Sequence, residues 1–209
     1  SGEERHARRI ELSSIDDPLC RDMLERFHAA NIACRVADVT SDVGIPAFRC
    51  DVASRDGADV FGSAMPPLRG AGCHPRREIA LLRALTEAAQ TRVGMISGAR
   101  DDFSPWWYAD KDRVALARRR FFSELEKGTT RLFKDVPTHD APSLKEDVAW
   151  AIQQLREVGL DSVLVVDLTK PQIGLPVAKV IVPGLEPMRE VPGYRPGPRA
   201  LALAAQVAA

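Results

Sequence analysis

This sequence has few of the features that mark a specialised class. Its four cysteines, Cys20, Cys34, Cys50 and Cys73, are spread singly through 209 residues with no C-x-x-C pair. That spacing excludes a zinc knuckle and a dithiol redox motif, and four cysteines in a chain this long do not make a disulfide framework. They read as reduced thiols of a cytoplasmic protein. There is no excess of either charge, with 29 Lys and Arg against 29 Asp and Glu. A general binder of nucleic acid or anionic membrane is therefore excluded. No window approaches the ~18 apolar residues of a membrane helix. The start, Ser1-Gly2-Glu3-Glu4-Arg5-His6, has no apolar core for a secretion signal, and Ser1-Gly2 reads as a tag-removal scar. P-loop and G-x-G-x-x-G motifs are missing, and His6, His28 and His139 show no metal spacing.

What is present is an ordinary globular composition, 45% hydrophobic and 28% charged, long enough for one domain or two small ones. The chain also repeats itself. Residues 38–48 contain Asp38-Val39-Thr40 followed by Gly44-Ile45-Pro46, and residues 167–178 contain Asp167-Leu168-Thr169 followed by Gly174-Leu175-Pro176. Upstream, Leu19, Met23, Leu24 and Phe27 recur at helical spacing, as do Val148, Ile152, Leu155 and Val158. Each unit reads as helix, strand, polar turn, strand. Asp17 caps the first helix with Pro18 at its first position, and Ser143 with Glu146 forms a capping box for the second. Runs 33–39 and 162–168 suit buried strands, the second more firmly because it is β-branched. The expected fold class is α/β with an internally duplicated helix-strand-turn-strand unit.

Between the units lies a Gly/Pro-rich stretch, 57–72, then a helix over about 75–95. A polar segment follows with Trp106, Trp107 and Tyr108, read as a partly buried aromatic cluster. A further helix covers about 113–126; its Arg118-Arg119-Arg120 run, with Glu124 and Glu126 close behind, reads as a solvated salt-bridged face. The segment 183–198 is rich in Pro and Gly, and 200–209 is an alanine-rich tail, helical or frayed.

The helix over 75–95 holds the candidate chemistry. At 100° per residue, Leu81, Leu82, Leu85, Ala88 and Ala89 share an apolar face, while Arg76, Arg83, Glu87 and Gln90 line the opposite one. The polar stripe reads either as a solvated face with an Arg83–Glu87 pair or as a ligand-binding edge. Glu78 is a misfit, a carboxylate on the apolar side of the first turn; it offsets the helix dipole there or meets a cation. Gly70 and Gly72 ahead of the helix would let backbone approach a ligand, and the first-turn N–H groups could face a phosphate. His74 in that entry reads as a cap or packing residue.

Gly70-Ala71-Gly72-Cys73-His74, the run Ala80 to Gln90 and the run Ile96 to Asp102 together resemble the central motif of the YcaO family. The D-[VL]-T…G-[IL]-P segment at 38–46 and Val182-Pro183-Gly184-Leu185-Glu186 resemble it too, so the likeness covers about residues 8–199. It implies a YcaO-type fold, with the chain a single YcaO-like domain lacking the family's N-terminal portion and the carboxylate cluster found there. It also implies ATP- and Mg2+-dependent activation of a peptide backbone amide by O-phosphorylation, leading to thioamide or azoline formation. By the same resemblance Glu87 and Gln90, with Glu78 and Glu186, hold the nucleotide, and Glu78 and Glu87 hold the metal; no catalytic base stands out. The implied partners are a peptide or protein substrate, an accessory or leader-peptide-binding protein, and a second copy covering an exposed sheet edge. Pro192, Pro196 and Pro198 are not spaced like the proline-rich terminus of the family's azoline-forming members, which favours a thioamide-type or other non-azoline member. The alternative is a non-catalytic α/β scaffold that docks a partner protein or leader peptide.

Overall fold

Two capped helix starts foreseen from the sequence set the frame. Asp17 Oδ1 accepts the Cys20 N–H at 2.9 Å ahead of α1 (Pro18–Ala29). Ser143 Oγ accepts the Glu146 N–H at 3.3 Å and donates to its carboxylate at 2.9 Å. Both bonds run through the Ser143 hydroxyl, which caps the start of α4 (Leu144–Glu157); the return bond from the Ser143 amide that would complete a capping box is not among those of the described residues. The computed structural model describes residues 8–57, 64–98, 110–125, 127–128, 130–186 and 193–208. Trp106, Trp107 and Tyr108 lie outside the described residues. The chain divides into two compact units, His6–Pro142 and a second that includes Ser143–Ala209.

In the first unit a five-stranded sheet runs in the order β4-β3-β2-β1-β5, built from β1 (Arg8–Ile10), β2 (Ile32–Asp38), β3 (Ala47–Ser54), β4 (Leu68–Cys73) and β5 (Thr130–Arg131). Only the β1–β5 pairing is parallel. Strand alternation sorts β3 cleanly. Phe48, Cys50 and Val52 face the main core with α2 (Arg77–Ser97), while Arg49 and Asp51 face the other way. On that far side Asp51 accepts from Arg49 at 3.1 Å and from its cross-strand partner Arg69 at 2.8 Å. Leu81 and Leu85 of α2 are fully buried, each contributing about 1.5–3 kcal/mol. All four cysteines are free thiols; those of Cys34 and Cys50 lie 3.4 Å apart on adjacent strands.

The Gly/Pro-rich stretch is not all connection. Its last part is β4, in which Gly70 and Gly72 face α2. A Cβ at Gly70 would sit 2.2 Å from Ala88 N and 2.3 Å from Ala84 O; one at Gly72 would sit 2.1 Å from Ala80 O. The backbone these glycines let in is thus the helix itself, where the sequence suggested a ligand. Ala80, Ala84 and Ala88, one turn apart and fully buried, are the matching small residues on α2.

The basic run on α3 (Lys111–Glu124) also departs from expectation. Arg120 pairs with Glu124 at 3.2 Å, as a solvated face would. Arg118 is instead buried, donating to Ser54 O at 2.6 Å and Met65 O at 3.2 Å, with its guanidinium 5.5 Å from the Phe122 ring. Buried carbonyls without strand partners need a donor, and arginine's fork reaches two of them.

The second unit holds α4, the hairpin β6 (Leu164–Asp167) and β7 (Ala178–Ile181), and α5 (Pro198–Ala208). The alanine-rich tail is therefore helical through Ala208. The two D-x-T turns use the same hydrogen bonds. Asp38 accepts from Thr40 N at 2.9 Å and Asp167 from Thr169 N at 2.8 Å. Thr40 accepts from Ala47 N, and Thr169 from Val177 N, both at 3.1 Å. The surroundings differ: β2–β3 is interior to a sheet, whereas among the described residues β6 and β7 pair only with each other and every residue in them is exposed. The expectation of a buried second strand thus fails on burial while holding for strand type. Among the described residues no helix is long and apolar enough to cross a membrane.

Candidate functional site

The cleft follows from how α2 lies on β4. With backbone against backbone along the Gly–Ala seam, α2 turns its polar stripe past the strand at the outer rim. Arg83, Glu87, Gln90 and Gly94 follow at i, i+4, i+7 and i+11, one face of a helix. Thr86 and Thr91 flank them, and Thr91 Oγ1 donates to Arg69 O at 3.1 Å, fastening helix to strand. Together with Ala71, Gly72 and Cys73 of β4, and Val39, Ala47 and Phe48 around the first D-x-T turn, they line a cleft of about 890 Å3.

The structure thus brings Glu87 and Gln90 together in one cleft. The Arg83–Glu87 pair that would neutralise the stripe is not formed, and among the described residues neither the Glu87 carboxylate nor the Gln90 amide has a partner. A guanidinium, a carboxylate and an amide are left pointing at solvent along one wall. Cys73 is the thiol beside them. Desolvation raises it above the ordinary cysteine range, opposed by the Arg83 guanidinium. Sequence reasoning put Arg83 on the stripe without naming it as a ligand-holding residue, and passed over Cys73 and Thr91 as cleft residues. Arg83 was already legible, being on the same stripe as Glu87.

Glu78 does not join this group. It precedes Glu87 by nine residues, two and a half turns, and so points about 180° away. There its Oε1 accepts from Arg77 Nε at 3.1 Å. Arg77 in turn donates to Lys134 O at 2.8 Å and Val136 O at 3.0 Å, and stacks 5.2 Å over Phe133. Its N–H goes to Thr138 Oγ1, so this first-turn donor is already taken. The misfit carboxylate is the counter-ion of a structural arginine. His74 Nδ1 accepts the Arg76 N–H at 3.0 Å, a local turn bond ahead of the helix and not a cap of its first turn.

Glu186 belongs to the second unit and is also engaged. Tyr194 Oη donates to Oε2 at 2.5 Å, Gly197 N to the same oxygen at 3.0 Å, and Ala200 N to Oε1 at 3.1 Å. The Tyr194 hydroxyl first, then the Gly197 amide, hold this carboxyl below the usual glutamate range. It anchors the start of α5. Among the described residues no group of three or more His, Cys, Asp or Glu is arranged to hold a metal unaided. Glu87 and Gln90 instead offer two hard oxygen donors, a set suited to a cation that draws its other ligands from phosphate and water.

Comparison with known proteins agrees with this architecture. A Rhizobium leguminosarum bv. trifolii protein, described as lying in the tfuA 3′ region, is 35% identical over 180 residues, covering 85% of this chain and 42% of its own length. The chain therefore spans less than half of that relative. A heterocyclase solved in complex with substrate and cofactor matches with a TM-score of 0.65 at 27% identity, over 85% of this chain and 23% of that one. The YcaO from Methanopyrus kandleri, bound with AMPPCP and Mg2+, shares the fold with a TM-score of 0.64 at 23% identity, over 87% of this chain and 46% of its own. Residues 3–186 match the family described as YcaO cyclodehydratase, ATP- and Mg2+-binding. The fold is a mixed α/β fold of that type, and the chain belongs to the YcaO family.

Proposed function

We propose that this chain supplies one wall of an ATP- and Mg2+-dependent site that activates a peptide backbone amide, with Glu87 and Gln90 as oxygen donors to the nucleotide's cation and phosphates. The observation behind the reading is the unpartnered Arg83–Glu87–Gln90 stripe on the cleft wall, in a chain of a family described as ATP- and Mg2+-binding. The heterocyclase and the Methanopyrus kandleri protein, solved with substrate and cofactor and with AMPPCP and Mg2+, support a peptide substrate and a magnesium-bound nucleotide. When bound, the nucleotide supplies a phosphoryl group that makes the amide oxygen a leaving group, toward a thioamide or an azoline. The protein's part is positioning and charge. Glu87 fixes a cation at the wall, Gln90 orients through its amide, and Arg83 offers a fixed positive charge to phosphate oxygens. Glu78 and Glu186, held by Arg77 and by the α5 start, are left out of this set.

Calorimetric titration of ATP with Mg2+ into this chain, repeated with Glu87→Ala, tests the assignment. Binding weakened about tenfold or more by the substitution, with unchanged circular dichroism, supports it. Equal binding by both proteins refutes the placement on α2. No binding by the well-folded wild type favours the scaffold reading for these 209 residues.

A further inference from the structure

The β6–β7 hairpin has the composition of strands buried on both faces. Its register pairs Leu164 with Ile181 and Val166 with Lys179 on one face, and Val165 with Val180 and Asp167 with Ala178 on the other. A sheet wetted on one side alternates apolar with polar; Leu-Val-Val against Val-Ile does not. All eight residues are nevertheless exposed, and neither strand has a further neighbour among the described residues. A two-stranded hairpin in that condition is marginal in water.

The β2–β3 hairpin shows what the same construction requires. The turns correspond hydrogen bond for hydrogen bond, with Val39 N donating to Ala47 O and Leu168 N to Val177 O. This correspondence sets Val165 and Val180 where Val36 and Cys50 stand, each a directly opposed pair. Val36 and Cys50 are 0% exposed in the core that α2 shares, and β1 and β4 close the edges. Val165 and Val180 are 65% and 60% exposed. The chain spans 42% of the Rhizobium relative, so more than half of a family-length polypeptide lies outside it.

We propose that β6–β7 is the interior hairpin of a second sheet, completed by that remaining polypeptide, with a strand on each edge and a helix over Val165 and Val180, as α2 stands to Val36 and Cys50. A second copy of this chain is a poorer occupant, because its α2 is already buried in the core against its own β2, β3 and β4. The inference does not depend on the nucleotide site.

Hydrogen–deuterium exchange of this chain and of the intact Rhizobium relative tests it. In this chain the 164–167 and 178–181 amides should exchange about 100-fold faster than those of 32–38 and 47–54. In the relative, the aligned hairpin should be as protected as the first one. Fast exchange of that hairpin in the intact relative overturns the proposal, as does protection in this chain when dilute. Protection in this chain that grows with concentration also overturns it and assigns the face to a second copy. As a further arm, Val165→Lys should leave the melting temperature of this chain unchanged while lysine at the aligned position lowers that of the relative. Neutrality in both refutes burial of this face.

Discussion

Substituting Gly70 with alanine should be among the most damaging single-methyl changes in the chain. The added Cβ would lie 2.2 Å from Ala88 N and 2.3 Å from Ala84 O, both backbone atoms that no rotamer change can move. Restoring ordinary contact at about 3.5 Å requires α2 and β4 to separate by roughly 1.3 Å. Even a 0.5–1 Å gap forfeits about a quarter to a half of the dispersion energy along the surfaces it opens. Overpacking of this kind costs about 1–3 kcal/mol and occasionally more, and a backbone clash belongs at the upper end. The usual gain from stiffening the unfolded chain, about 0.4–1 kcal/mol, offsets only part of it. The expected net loss is about 2–3 kcal/mol, a large share of a domain's ~5–15 kcal/mol. Urea unfolding should show a lower midpoint with the slope unchanged. A Gly70→Ala protein within about 0.5 kcal/mol of wild type would refute the seam.

Arg118→Met keeps much of the bulk but leaves Ser54 O and Met65 O without their donor; a loss of about 2–4 kcal/mol is expected in thermal unfolding, and Arg118→Lys should not restore it. The Glu186 carboxyl is held low by Tyr194 and Gly197, so its contribution to stability is complete at neutral pH and disappears as pH falls through the lowered folded value. The Gly197 amide resonance should therefore titrate below the ordinary glutamate range, and Glu186→Gln should abolish that transition. Toward a thiol reagent at neutral pH, exposed Cys73 should react before buried Cys20 and Cys50, and a nucleotide held by Glu87 should slow it; equal rates for all thiols would contradict the packing.

Local signals were the legible ones. The Asp17–Pro18 start, the Ser143 cap, the β-branched run at 164–167 and the stripe of Arg83, Glu87 and Gln90 each depend on neighbours within a few residues. What escaped depends on a second segment. Gly70 and Gly72 read as chain-breakers because their partners, Ala80, Ala84 and Ala88, define a strand only once the helix lies against it. Arg118 looks like its neighbours Arg119 and Arg120 until α3 is placed over the carbonyls of Ser54 and Met65. Strands β1 and β5, at three and two residues, are too short for any periodicity to register. Glu78 was seen as anomalous, but its counter-ion Arg77 is held by residues more than fifty positions away.

The close fit of α2 on β4 also bears on how the cleft can respond to a ligand. Side chains between packed elements act as compliant spacers, since they swing among rotamers and let one element slide over another. Here the intervening layer is hydrogen on one side and methyl groups on the other, so the helix bearing Glu87 and Gln90 has nothing to slide on. The backbone positions of those two residues are consequently fixed relative to Cys73 before any ligand arrives, and only their exposed side chains have rotamers left to set. Any closure around a bound molecule must come from the facing side, while this wall behaves as the anvil.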